Sequence, residues 1–198
     1  MTQITRYTFS KKQITAQVAD NYNNYLWTAF AQNTSGICYL EKKAKFKPDQ
    51  TYYSLQREVT GINALDVDSS KLYVAYNDAT LLGEIISKSN PLSSYTQISR
   101  GTIVESPVDI VIDGTDLWFL LPGILSGENA QLLKYNTSGV LQETIDLSKS
   151  GLSVVNAKSM TIDANDDIQI ITYEKPVNLV RVFELSGGTY DFAVTEIS

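Results

Sequence analysis

One short pattern recurs four times along the 198-residue chain and limits what the chain can fold into. An apolar run ends on an aspartate, a few polar residues follow, and a second apolar run begins. The four copies are Gln17-Val18-Ala19-Asp20 before Tyr25-Leu26-Trp27, Leu65-Asp66-Val67-Asp68 before Leu72-Tyr73-Val74, Ile110-Val111-Ile112-Asp113 before Leu117-Trp118-Phe119, and Met160-Thr161-Ile162-Asp163 before Ile168-Gln169-Ile170. The aspartates stand 48, 45 and 50 residues apart. Each copy reads as strand, tight turn, strand. An aspartate opening the turn accepts a backbone N–H two residues on, which explains its presence in every copy.

Two weaker strands follow in each copy. They are expected at 36–46 and 51–59, 81–87 and 95–99, 131–135 and 140–147, and 178–185 and 190–197. Asn136-Thr137-Ser138-Gly139 joins the third pair and Ser186-Gly187-Gly188-Thr189 the fourth, with glycine where a hairpin needs a positive φ. No segment keeps a helical period over three turns. The sequence therefore predicts an all-β chain of four four-stranded antiparallel units. Such units set radially about an axis make a β-propeller, closed as a four-bladed ring or left as an arc completed by another chain. Blades are expected near 12–60, 61–104, 105–151 and 152–198, with residues 1–11 as an N-terminal arm. The competing architecture is a β-sandwich, which also takes short strands at regular spacing. Ile110-Val111-Ile112 and Leu117-Trp118-Phe119-Leu120-Leu121 favour the propeller, because a strand buried on both faces is apolar throughout.

The stretch Ala64-Leu65-Asp66-Val67-Asp68-Ser69-Ser70-Lys71-Leu72-Tyr73-Val74-Ala75 resembles the blade repeat of NHL and YVTN-type propellers. The likeness covers the first hairpin of each copy, about a third of the chain. It departs where those repeats usually place glycine before the second strand: Lys71 and Asp116 stand there instead. The resemblance implies a fold and no activity.

Composition excludes several functions. Histidine is absent, which removes His triads and His-ligated zinc. The single cysteine, Cys38, forms no internal disulfide and is expected in the core. No cofactor is expected. The net charge of −6 argues against nucleic-acid binding. The balance is uneven: residues 1–99 hold 10 Lys/Arg and 8 Asp/Glu, residues 100–198 hold 6 and 14. Opposite ends of two copies could attract, so a homo-oligomer is among the expectations. No run approaches a membrane span, and residues 1–9 lack an apolar leader core, so the chain is expected to be cytoplasmic as made or part of a virion.

Several residues stand out as candidate sites. Asp163, Asn165, Asp167 and Glu174 fall at positions 1, 3, 5 and 12 of a calcium-loop pattern. Ile168 replaces that loop's glycine and a strand follows, which suits a plain polar turn. Lys42, Lys43, Lys45 and Lys47 form the basic cluster, which could grip phosphates or an acidic partner, or keep an edge strand from pairing. Ile124 and Leu125 lie in an insertion at 123–129 that is the best candidate for a partner contact. Tyr25, Trp27, Tyr73 and Trp118 hold matching repeat positions, as inter-blade filling or as a carbohydrate platform. Asn33-Thr34-Ser35 and Asn136-Thr137-Ser138 fit the glycosylation pattern but sit where turns are expected.

Three functions follow from this reading. The first is a non-catalytic structural or protein-interaction module whose Asn/Thr/Tyr-rich make-up resembles phage tail, baseplate or capsid components. The second is a glycan- or receptor-binding propeller. The third is a glycosidase or lyase using Asp68, Asp113 and Asp163.

Overall fold

The computed structural model describes residues 13–44, 47–125, 129–147, 154–174, 179–186 and 191–197. The N-terminal arm, Lys45 and the Gly187-Gly188 joint lie outside them. The described residues form strands and connecting turns, with no helix.

The first sheet holds β1 (Ile14–Asp20), β2 (Tyr25–Phe30), β3 (Cys38–Ala44) and β4 (Lys47–Arg57). The second holds β5 (Gly61–Val67), β6 (Lys71–Asn77), β7 (Leu81–Ser87) and β8 (Tyr95–Ser99). The third holds β9 (Asp109–Asp113), β10 (Asp116–Leu121), β11 (Gln131–Asn136) and β12 (Leu141–Asp146). The fourth holds β13 (Ala157–Ile162), β14 (Ile168–Glu174), β15 (Leu179–Ser186) and β16 (Asp191–Ile197). Each sheet pairs its strands antiparallel in chain order. Innermost strands meet in series, β1 with β5, β5 with β9 and β9 with β13. Among the described residues no contact of like extent joins β13 to β1, and an open arc is compatible with these contacts.

Alternation along the second strand of a blade explains the stacking. Leu72, Val74 and Tyr76 of β6 pack with Trp27, Ala29, Cys38 and Leu40 of the first blade. Tyr73 and Ala75 of the same strand pack with Leu117, Phe119 and Leu121 of the third. Trp118 and Leu120, between those residues on β10, pack with Met160, Ile168 and Ile170 of the fourth. Three inter-blade cores result, and β6 and β10 each serve two of them. A sandwich would give each sheet one wet face and so does not fit. Phe119 and Tyr135 meet edge to face at 5.5 Å within the second core.

The turns bear out the aspartate reading in three copies and revise it in one. Asp20 accepts the N–H of Tyr22 and Asn23. Asp68 accepts those of Ser70 and Lys71 at 2.6 Å each. Asp163 accepts those of Asn165 and Asp167. In the third copy Asp113 pairs directly with Asp116 across a two-residue Gly114-Thr115 turn, too short to need the cap. Asn33 and Asn136 cap hairpins in the same manner, each with its side-chain oxygen.

Two ion pairs join the first and second blades. The Lys88 ammonium donates to Asp20 Oδ2 at 2.7 Å and to the Asp68 carbonyl at 2.6 Å. Asp20 is fully buried. Arg57 Nε donates to Glu84 Oε2 at 2.7 Å, and the buried Tyr76 hydroxyl reaches the same oxygen at 2.6 Å.

Two substitutions test this packing. A Cβ on Gly83 would stand 2.4 Å from the Val74 carbonyl oxygen and 2.8 Å from the Phe119 ring. Gly83→Ala should therefore cost about 1–3 kcal/mol in urea unfolding. Lys88→Met leaves the buried Asp20 carboxylate without its cation and should cost about 3–5 kcal/mol. A shift below about 0.5 kcal/mol in either would contradict the packing described.

Candidate functional site

The second and third blades are joined by a loop, residues 100–108, that one arginine shapes. Arg100 donates to the Ile103 carbonyl at 2.6 Å and to Ser106 Oγ at 3.1 Å, and also bonds the Val104 and Asp78 carbonyls. So held, the loop turns Glu105 inward, where it is 7% exposed. Its carboxylate meets the loop that follows β10. Oε2 accepts the Gly123 N–H at 2.7 Å, and Oε1 accepts those of Ile124 and Leu125 at 2.6 and 2.9 Å. Three N–H groups on one carboxylate fix that loop tightly. Gly123 fits because its φ is +64° and a Cβ there would strike the Ala130 backbone at 2.2 Å.

Pinning the backbone points the side chains outward. Ile124 is 64% exposed, Leu125 40% and Val104 68%. They rim one cleft of about 340 Å³ with Asn63, Asn77 and Arg100 in its wall. A second cleft, about 450 Å³, lies across the Val104–Glu105 ridge against Leu133, Leu141 and Thr144 of the third blade. The expectation for Ile124 and Leu125 thus rests on a held, apolar surface. Sequence reasoning missed Glu105 and Arg100, because neither belongs to the repeat and their targets are backbone groups.

Among the described side chains of the basic cluster, Lys42 and Lys43 do not share a face. Lys42 is 8% exposed, with its ammonium 3.9 Å above the Tyr25 ring and 5.5 Å from that of Trp27. It lies on β3, the third strand of its blade, and not on an edge. Lys43, its neighbour on the opposite face, pairs with Glu41 at 3.1 Å. Alternation within a strand separates consecutive lysines. Lys47 opens β4.

The calcium set does not assemble either. Asp163 Oδ1 is taken by two turn N–H groups, at 2.7 and 3.1 Å. Glu174 ends β14, about 20 Å along the strand from Ile168. Among the described residues no metal-ligating cluster occurs. Trp27, Tyr73 and Trp118 lie in the inter-blade cores and offer no carbohydrate platform; Tyr25, half-buried, remains at a cleft. Asp68 and Asp163 hold the N–H groups of their own turns, and Asp113 faces Asp116 across the Gly114-Thr115 turn.

Two carboxylates of the second blade, Asp66 on β5 and Asp78 in the β6–β7 turn, carry opposite shifts. Burial pushes the Asp66 carboxyl up, and N–H bonds from Ile112 and Val67 offset only part of this, with Asp109 and Asp68 adding to the rise. Its bond from the Ile112 N–H, at 2.8 Å, links the second blade to the third. Asp109 links the third to the fourth through Ser159 Oγ and the Met160 N–H. Asp78 lies below the ordinary aspartate range. Burial would raise it, but the Thr80 N–H and hydroxyl and the Leu81 and Thr60 N–H groups outweigh that.

No protein-family model matches the chain, and no curated protein matches it in sequence. Solved structures do match in fold. A luciferin-regenerating enzyme superposes over 91% of this chain with a TM-score of 0.63 and 14% identity. The WD40 β-propeller domain of Doa1 superposes over 90% with a TM-score of 0.59 and 10% identity. The extracellular domain of a one-component system from B. thetaiotaomicron covers 94% with a TM-score of 0.56 and 14% identity. This is a β-propeller fold. The chain spans 63%, 53% and 22% of those three chains, less than two thirds of each. At such identities the likeness is one of architecture. Among the described residues no helix is long and apolar enough to cross a membrane.

The shifted carboxylates give a signed prediction. Asp78, lowered when folded, contributes stability above its unfolded value that is lost as pH falls through the folded one. Asp66, raised when folded, contributes stability at low pH that is lost as pH rises through its folded value. Between about pH 2.5 and about pH 7, Asp78→Asn should therefore reduce the gain in unfolding free energy, and Asp66→Asn should increase it. Urea titrations at both pH values check the two signs; like signs for both variants would refute the assignment. Glu105→Ala should expose the 123–125 amides to hydrogen exchange at least tenfold faster while the β10 amides stay protected.

Proposed function

We propose that this propeller arc is a non-catalytic interaction module that binds a protein partner through the Val104–Ile124–Leu125 surface. The observation that carries the reading is the Glu105 carboxylate holding three successive loop N–H groups, so that exposed apolar side chains stand ready over a cleft. A preformed loop orders nothing further on binding, which lowers the entropic cost of association. Exposed apolar side chains beside Arg100 and two asparagines offer both the apolar area and the hydrogen-bonding groups that interfaces use. Engagement of Asp68 and Asp163 by the N–H groups of their own turns supports a binding role over carboxylate catalysis. Within it, placement in a phage virion is a finer proposal supported by the Asn/Thr/Tyr-rich composition.

Site-specific photo-crosslinking tests the surface. A photoreactive residue at Ile124 should give one discrete adduct in a lysate of the source cells, and Leu125→Asp should abolish it. The same residue at Val140, 55% exposed on the third blade, should give none. No adduct from position 124, or the same adduct from both positions, would overturn the proposal.

A further inference from the structure

The cleft of about 450 Å³ across the Val104–Glu105 ridge is a slot along one face of the third blade. Strand β12 lines it. Leu141 pairs with Tyr135, Thr144 with Leu133 and Asp146 with Gln131. A register shift between Lys134 and Tyr135 makes Gln142 the extra residue, which returns Leu141 to the face shared by Thr144 and Asp146. From the Tyr135–Leu141 pair to the Gln131–Asp146 pair is a span of about 13 Å along β11. Leu121 and Leu133, both nearly fully buried, lie at the base of the slot, and the loop carrying Ile103 and Val104 lines it as well. Val104 and Leu141 leave much of their aliphatic surface exposed there. Gln131, opposite Asp146, pairs on its other side with Leu121, the last residue of β10 before the Gly123–Leu125 loop. The Asp146 end therefore lies toward Ile124 and Leu125.

Two carboxylates line the slot. Glu105 commits both oxygens to the Gly123, Ile124 and Leu125 N–H groups. Asp146 is exposed, and among the described residues nothing hydrogen-bonds or ion-pairs with its carboxylate. No lysine or arginine lines the slot. Arg100, on the far side of the ridge, gives its donors to loop carbonyls and to Ser106. The half of the chain around it is acidic, with 6 Lys/Arg against 14 Asp/Glu in residues 100–198. Aliphatic walls that end on an unengaged acid suit a side chain with an apolar stem and a terminal cation. Lysine and arginine lay their methylenes on apolar surface while the charge reaches a polar group. A complementary charge beside an apolar contact selects the partner and fixes its register more than it adds affinity.

On the reading that the Val104–Ile124–Leu125 surface binds a protein, we propose that the partner segment crossing Val104 carries a lysine or arginine. Its stem lies against Val104 and Leu133, and its charge meets Asp146. An acidic residue in its place faces the Asp146 carboxylate and is rejected.

Titration of the 15N-labelled protein with the dipeptide N-acetyl-Leu-Arg-amide, and with its uncharged citrulline counterpart, tests the slot. The arginine peptide should shift the Gln131, Thr144 and Asp146 amides saturably. It should bind about fivefold more tightly than the citrulline peptide, the upper end for one exposed ion pair. Asp146→Asn should bring that ratio to one, and Asp146→Glu should keep it. Asp166→Asn removes an exposed carboxylate from the β13–β14 turn, at a left-handed φ that asparagine tolerates, and should leave the ratio unchanged. No saturable binding of the arginine peptide, equal affinity of the two peptides, or a ratio that survives Asp146→Asn would overturn the proposal. Photo-crosslinking from position 124 separates this failure from failure of the surface itself. Asp146→Asn should lower the adduct yield by about threefold. An adduct indifferent to Asp146→Asn refutes the basic residue and leaves the surface standing, whereas no adduct refutes both.

Discussion

The structure depends on the burial of both faces of one strand. In β6 and β10 every successive side chain from Leu72 to Tyr76 and from Leu117 to Leu121 is buried, although neighbours point in opposite directions. That arrangement needs a sheet on each side. Burying one such side chain is favourable by about 1.5–3 kcal/mol, so a row of them outweighs alternatives that leave one face wet. A radial stack satisfies the demand at the second and third blades.

Rigidity at the core fixes where recognition can occur. The strands are committed to packing, so variable chemistry falls to the connections. Two of these are bound down by ionic groups acting on backbone. Arg100 and Glu105 hold the loops at one end of the second and third blades. At the Asp20 and Asp68 turns, Lys88 ties the first blade to the second. Both arrangements place a buried charge where it orders a loop, and both leave a cleft beside it.

Much of the fold was legible in the sequence because strand period, turn chemistry and repeat spacing all agree. The pairing of Leu81–Ser87 with Tyr95–Ser99 was the weakest of the four outer hairpins in sequence, yet it forms at those bounds. The candidate sites were less legible. A run of lysines looks like one patch, but strand alternation sends Lys42 beneath Tyr25 and leaves Lys43 with Glu41. The oxygens from Asp163 to Glu174 match a loop pattern in number and spacing, but a strand carries the last one out of reach. Ile124 and Leu125 were visible as an apolar insertion. What makes them a surface, the carboxylate of Glu105 from another loop, left no mark in local sequence. Lys88 was equally hidden, since its partner Asp20 lies 68 residues away.

The direct measurement of two-sided packing is a side-chain NOE spectrum of the isolated chain. The Phe119 ring should show cross-peaks to the Gly83 α-protons of the second blade. Trp118, its immediate neighbour, should show them to Met160 or Ile170 of the fourth. A Trp118 indole with no cross-peak beyond its own sheet would contradict the stacked arc.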